Sequence, residues 1–462
     1  MRQSVQNMTS GSPTRLIVSF ALPLMCGNIF QQCYTVVDTI VVGQGVGVEA
    51  LASLGASDWF NWLVLGVVTG LAQGFGIRMS QEFGAGRYVD LRRTVRDSVV
   101  LMTALTAIIL LISQLLVLPV LNLLGTPDNI RPGSELYLRV LYVGLPLTAF
   151  YNLTASILRS LGDSKIPLVA MIAASLLNVG LDVLFVFAFH WGIGGAAAAT
   201  VLAQGVAGVI CLVKVLRISE LRGQEPFAWP TMESAVGLMK LSVPVSFQNV
   251  IISIGGMVVQ SVVNGFGFLF IAGYTATNKL YGVIEMAAIS YGYAMTTYVG
   301  QNYGAGDLKR VRQGVFRGLL TALLTSLVVS VLMLVFGRNL LLLFISGEAS
   351  EQAQALDGAY RYLSIMCIFL MILYVLHIYR CALQGLGDTV WPMASGIVEF
   401  AMRVGSVLLL KGIIAEYSVF FAEVLAWTGA AVLLWVCYQV RMKRLEERAR
   451  LMSESFREAN HG

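Results

Sequence analysis

Gln81-Glu-Phe-Gly-Ala-Gly-Arg87 recurs as Gln301-Asn-Tyr-Gly-Ala-Gly-Asp307, 220 positions further along the chain. Each copy is followed by a basic stretch and then by a long neutral run. Leu161-Gly-Asp163, with Pro167 behind it, recurs as Leu386-Gly-Asp388 with Pro392, an offset of 225. Ala56-Ser-Asp58 corresponds in the same way to Ala276-Thr-Asn278, and Pro23 to Pro244. Four matches in one order at nearly one offset describe an internal duplication.

Composition says what each copy is made of. Of 462 residues, 57% are apolar and only 12% are charged. An ordinary soluble domain carries about twice that charge fraction. Charges are too few to cover a water-soluble enzyme of this size, and disorder and fibrous classes fail for the same reason. A polytopic membrane protein remains. Neutral runs fit that class: 22 uncharged residues separate Arg15 from Asp38, 30 separate Asp97 from Asp128, and 38 separate Lys240 from Lys279. A helix needs about 20 apolar residues to cross the hydrocarbon. Backbone groups cannot stay unpaired there, so helices are expected. The first apolar run is long, contains polar residues and has no small-residue cleavage site, so it reads as a helix of the mature protein rather than a removed signal peptide.

The pattern predicts an all-α integral membrane protein. Twelve spans are expected near 16–44, 49–80, 97–125, 134–160, 166–190, 195–217, 240–264, 268–301, 318–346, 355–384, 391–412 and 417–441. They form two parallel six-helix repeats around a central cleft. Residues 1–217 form the first bundle, 218–239 a linker with Gly223, Pro226 and Pro230, 240–440 the second bundle, and 441–462 a basic surface-helical tail. Six crossings return the chain to its starting side, so the two copies share one orientation, as in transporters built from parallel repeats.

Lys and Arg counted on alternate sides number 24 against 5, with Lys279 and Arg403 inside spans. Positive residues favour the cytoplasmic side. Both termini are therefore expected there, in a multi-pass protein of the cytoplasmic (inner) membrane. The net charge of +5 then requires no nucleic acid partner. Cys26, Cys33, Cys211, Cys367, Cys381 and Cys437 lie in apolar stretches without ligand spacing and read as small buried residues. His190, His377 and His461 form no motif.

A charge at mid-bilayer costs about 2.5–3.5 kcal/mol on insertion scales, so such residues usually serve ion pathways. In the first span Gln31, Tyr34, Thr35 and Asp38 follow i, i+3, i+4, i+7 spacing and share a face. Asn178 and Asp182, i and i+4 in the fifth span, do the same. Thr200 lies in the sixth span within Gly192-Ile-Gly-Gly-Ala-Ala-Ala-Ala-Thr200, whose small residues permit close helix approach. Two carboxylates in one low-dielectric pocket cannot both stay ionised without a counter-charge. The pair then holds a proton, or Na⁺ with Asn and Thr oxygens as hard ligands. Elsewhere, Glu399 and Arg403 stand i, i+4 and suit an intrahelical ion pair. Lys279 is expected to snorkel or to pair with Glu285. Asp58 and Glu423 suit positions near the outer interface. Pro23 and Pro244 are expected to weaken or kink the first and seventh spans and are candidate hinges.

These residues resemble the multidrug and toxic compound extrusion (MATE) family of bacterial efflux transporters. The likeness rests on the six-plus-six duplication, the paired Gln-x-[Phe/Tyr]-Gly-Ala-Gly loops and the Leu-Gly-Asp-x-x-x-Pro turns. Asp38, the Asn178/Asp182 pair and the small-residue run ending at Thr200 agree with it, over about residues 12–440. The resemblance implies antiport, with drugs or other amphipathic or cationic organic compounds leaving as H⁺ or Na⁺ enters. It implies that Gln31, Tyr34, Asp38, Tyr137, Asn178, Asp182 and Thr200 form a cavity in the first half. Some relatives carry acids in the middle of the seventh and tenth spans. Here the seventh offers Gln248 and Asn249, and the tenth has no acid after Asp357, so coupling is assigned to the first half. The expected ion site is Asp38, Asn178, Asp182 and Thr200, a metal site only if Na⁺ is the ion. The expected cargo site includes Gln31, Tyr34, Tyr137, Gln248 and Glu285. No enzyme motif occurs (no H-E-x-x-H, no G-x-S-x-G), and no cofactor beyond the coupling ion is expected. Partners are then small organic molecules and the bilayer, with the protein a monomer. The alternative is a flippase of lipid or lipid-linked oligosaccharide with related architecture.

Overall fold

A computed structural model describes residues 5–223, 228–345 and 349–459. Arg2, Pro226 and His461 lie outside them, as do the side chains of Cys33 and Arg457. The first half contains α1 (Pro13–Gly45), α2 (Val48–Gly84), α3 (Tyr88–Leu123), α4 (Arg131–Val143), α5 (Leu145–Ser160), α6 (Lys165–Asp182) and α7 (Gly192–Val215). The second contains α8 (Met232–Val263), α9 (Phe268–Gly304), α10 (Leu308–Leu341), α11 (Ala349–Ile368), α12 (Leu370–Gly385), α13 (Val390–Ile414) and α14 (Tyr417–Ala459).

The protein is an all-α integral membrane protein, and each expected span falls on one helix or on a bent helix pair. Eight helices among the described residues are long and apolar enough to cross a membrane, and ten spans result if each bent pair counts as one. The other two, α9 and α13, carry Lys279 and Glu285, and Glu399, Arg403 and Lys411, respectively.

Six spans differ from the sequence reading; of these, the third and ninth start early, at Tyr88 and Leu308. The fourth and tenth spans are each broken, by 49°, at Gly144 and at Phe369. These positions are 225 apart, so the break belongs to the repeat. Gly144 permits it locally, because a Cβ there would run into Val201. The fifth span ends its α-helix at Asp182 and continues as a π-helical turn, Val183–Ala188. The seventh starts at Met232, inside the stretch read as linker, with Thr231 capping it through a bond from Ser234 N (3.2 Å). The basic tail is a direct continuation of α14. Cys26 is exposed, against the expectation, whereas Cys211, Cys367, Cys381 and Cys437 are buried.

Two hydrophobic cores follow the two halves, apart from Leu238 of α8, which joins the first-half core, and the start of the chain. Leu16, Ile17, Phe20 and Leu24, at the start of α1, belong to the core of the second half. Val41 and Val42, at its end, belong to the core of the first. The first helix therefore crosses from one bundle to the other.

The halves meet along α2 and α8. Gly66, Gly70 and Gly74 repeat every four residues on α2 and face Asn249, Ser246 and Ser242 of α8. Without side chains in the way, the backbones approach closely enough for Ser246 Oγ to donate to Val67 O (3.0 Å) and Asn249 Nδ2 to Gly66 O (3.0 Å). This is the small-residue packing that membranes favour, where no hydrophobic drive separates helix from lipid.

At the end bearing the termini, the duplicated motifs are exchanged. Gln81 Nε2 donates to Gly385 O (2.9 Å), which closes the Leu-Gly-Asp turn of the second half. Gln301 Nε2 donates to Ser160 O (3.0 Å), which closes the same turn of the first. Gly84 abuts the Gln301 carbonyl and Gly304 the Gln81 carbonyl, each with no room for a Cβ. Each glutamine thus satisfies a helix-terminal carbonyl that has no partner in its own helix.

The α2–α8 seam yields a test. Gly74→Ala drives a Cβ into the Ser242 backbone and is expected to destabilise the protein by roughly 1–3 kcal/mol. Gly55→Ala, on the same helix with nothing within 4 Å, is the control. Thermal unfolding in detergent reads both, and equal midpoints for the two variants contradict this account of the seam.

Candidate functional site

Four helices of the first half build the site, α4 packing on α7. α1 lies against α6, and α6 against α7. The stripe spacing on α1 turns Tyr34 and Asp38 the same way, and Asp38 is 5% exposed. Asn178 and Asp182 meet them from α6 at 1% and 0% exposure. Asn178 Nδ2 donates to Thr200 Oγ1 of α7 at 3.4 Å. The Tyr34 phenol is within hydrogen-bonding reach of Gln204 and Gln31. Tyr137, buried on α4, faces the same charges. Of the residues expected in the first-half cavity, all seven are brought to one place.

The carboxyl groups of Asp38 and Asp182 face each other within hydrogen-bonding reach. Among the described residues, no donor reaches Asp38 Oδ1, Asp182 Oδ1, Asp182 Oδ2 or Asn178 Oδ1. Nor does any Lys or Arg form an ion pair with either carboxylate. A buried charge normally carries a partner or coordinates an ion. Two acceptor-only groups cannot bond to each other unless a proton sits on one of them. A proton or a small cation resolves the arrangement, because either supplies the missing positive charge between oxygens that have no other use. Na⁺ in that position has four hard oxygens at hand: two carboxylate groups, the Asn178 carbonyl and the Thr200 hydroxyl.

Two features escaped the sequence reading. Gln204 stands four residues after Thr200 on α7 and so shares its face, a signal that was available. The π-helical turn directly behind Asp182 carries no sequence signature, yet such turns frequently mark functional sites. Asp58, expected near the outer interface, is exposed and lies within electrostatic range of both Asp38 and Lys279. Lys279 therefore faces Asp58 across the two halves.

The second half handles its charges differently. Glu399 and Arg403 do not pair with each other, as their i, i+4 spacing suggested. Glu399 pairs with Arg380 of α12, and Arg403 Nη2 reaches Glu423 of α14 at 2.7 Å. Both carboxylates sit where an interhelical guanidinium can approach, and burial rewards the pair that also ties helices together. Gln248 is 3% exposed and belongs to the first of these networks. With its amide oxygen toward Arg380 Nε (3.1 Å) and its nitrogen toward Pro392 O (3.2 Å), both ends are occupied. Glu285 lies beside the second pair, next to Tyr281, whose ring stacks on Trp427 at 5.8 Å. Gln248 and Glu285 thus engage partners within the second half, while Gly282, three residues before Glu285 on α9, faces Gln32 of α1. Pro23 and Pro244 lie inside α1 and α8, which run as single helices through them.

The MatE family model matches residues 23–184 and 244–409, one block in each half. The chain is 35% identical over 347 residues to the "Probable multidrug resistance protein YpnP" of Bacillus subtilis, covering 74% of this chain and 76% of that one. It is 26% identical over 439 residues to the "Probable multidrug resistance protein YoeA" of the same organism, covering 90% and 93%. A crystal structure of MATE in complex with MaL6 superposes with a TM-score of 0.89 at 23% identity, over 97% of this chain and 100% of that one.

The Arg403–Glu423 pair gives a second test. Arg403→Met leaves Glu423 buried without its partner and is expected to cost roughly 3–5 kcal/mol. Adding Glu423→Leu removes the orphaned charge and should restore most of the loss. Thermal unfolding of the single and double variants measures it, and additive losses contradict the pairing.

Proposed function

The chain belongs to the MatE family, and from that premise we propose that it is a secondary active exporter of amphipathic or cationic organic compounds, driven by entry of H⁺ or Na⁺. The observation that carries the reading is the facing Asp38–Asp182 pair, buried, with no donor and no counter-ion among the described residues. A site that needs a positive charge and has no resident one is suited to take it from outside and give it up again.

The coupling ion binds at Asp38 and Asp182, with Asn178 and Thr200 completing the shell if the ion is Na⁺. Gln31, Tyr34 and Tyr137 line the cargo side of the same cavity. In the second half, Glu285 with the Tyr281–Trp427 stack offers a carboxylate beside aromatic faces, a chemistry that attracts organic cations. Gln248, bonded at both ends, is the weakest member of the cargo set. A bound ion drives the change only through differential affinity for the two orientations. Here the difference arises in the Asp38–Asp182 separation. Asp38 rides on α1, whose first turns are packed in the other bundle, whereas Asp182 is fixed in the first. Pro23 lies between the two anchorages of α1 and removes one backbone donor there. It is the place where the helix can bend, with Pro244 as its counterpart on α8.

The protein acts as a monomer in the cytoplasmic membrane, with both termini in the cytoplasm, the orientation that its asymmetry of basic residues favours. Residues 1–217 and 240–440 are the two moving bundles. A flippase needs several unpaired bases facing a lateral groove. Of the bases buried inside spans, Arg403 is already paired with Glu423 and Arg380 with Glu399.

Dye efflux from energised vesicles tests the assignment. Asp38→Asn keeps size and hydrogen-bonding capacity but cannot carry the charge, and it should abolish export with expression unchanged. Export at the parent rate sinks the coupling assignment. Driving the parent with a pH gradient alone, then a Na⁺ gradient alone, identifies the ion.

A further inference from the structure

One of the two motif junctions carries a third element. The segment ahead of α1, residues 5–12, lies across the junction between Gln301 and the Leu161-Gly-Asp163 turn. Met8 is fully buried in the core of the second half. Its N–H donates to Gln301 Oε1 (2.8 Å), the other end of the amide that reaches Ser160. Its carbonyl accepts from Asn302 Nδ2 and from Arg310 Nη2, both at 3.1 Å. Arg310 also reaches Gly11 O (3.1 Å) and is held in place by Asn302 Oδ1 (2.9 Å). Three residues earlier, Val5 packs against the core of the first half. Between them the Gln6 carbonyl lies against Gly162, whose positive φ of 86° and lack of a Cβ leave it room.

The segment is therefore anchored in one bundle at Val5 and in the other at Met8. Three residues of extended chain reach roughly 10 Å at most. The bundles cannot part at this end by more than the remaining slack unless one anchor lets go. We propose that residues 5–12 form a latch that holds the terminus-bearing end shut, and that Arg310 is the residue that fastens it. Release of Met8 from Gln301, Asn302 and Arg310 then precedes opening of the cleft at this end. The proposal rests on the alternating-access reading but on neither the coupling ion nor the cargo.

Arg310 makes charge-assisted bonds to two carbonyls, and losing such a set commonly shifts an equilibrium about tenfold. The reporter is Gln73→Cys, in a background lacking the native cysteines. Gln73 lines the small gap between the halves together with Arg159, Tyr293 and Thr297. Its labelling rate by a membrane-impermeant thiol reagent, applied from the terminus-bearing side of reconstituted protein, reports opening there. Arg310→Ala should raise that rate about tenfold. Val5→Asp, which removes the opposite anchor and leaves the Arg310 contacts alone, should raise it as well. Arg312→Ala alters an exposed pair with Glu446 and should leave it unchanged. If neither latch variant changes the rate, or if Arg312→Ala raises it equally, the latch is overturned. Should the rates respond as expected in a protein that shows no ion-driven efflux, the exporter reading fails while the latch stands.

Discussion

The proposed function depends on a shortage of positive charge between Asp38 and Asp182. Burial removes water from both carboxyl groups, and among the described residues no donor reaches Asp38 Oδ1 or either Asp182 oxygen. In a low-dielectric interior such a pair is costly as two anions and inexpensive as a proton-sharing or cation-bound site. The fold supports this by placing the two acids on different helices, α1 and α6, rather than on one. Their separation can then change when the helices move, and affinity for the missing charge changes with it.

The two halves share a backbone plan but use charge in opposite ways. The first leaves two acids uncompensated. The second neutralises Glu399 with Arg380 and Glu423 with Arg403, and keeps Glu285 near aromatic rings. An interhelical ion pair stiffens what it joins, because breaking it strands a buried charge. The second bundle is in this respect a braced frame, while the first bundle holds the facing Asp38–Asp182 pair. The α1 helix connects the two, with its beginning in one core and its end in the other. A change at Asp38 is thereby transmitted mechanically to the interface between bundles.

The exchanged glutamines give that interface its symmetry. Each caps the helix end of the opposite half, so neither junction is complete within one repeat. Nature of the contact and chain connectivity then break the symmetry. Only the first half is preceded by a segment that ends in buried Met8, so the Gln301 amide is occupied on both sides while the Gln81 amide serves Gly385.

The sequence by itself determined the class, the duplication and which acids and amides share the faces that meet in the proposed ion site. Scarcity of charge forces helices into lipid, repeats betray themselves by offset, and i, i+4 spacing assigns Asp38, Asn178 and Asp182 to faces without reference to neighbours. Only the tertiary structure decided which charges pair. Spacing favoured Glu399 with Arg403, but Arg380 and Glu423 approach from other helices and win, because a buried carboxylate takes whichever guanidinium packing brings closest. The breaks at Gly144 and Phe369 and the crossed-over start of α1 were equally illegible. Each results from contacts between residues far apart in the chain, and local periodicity carries no record of those.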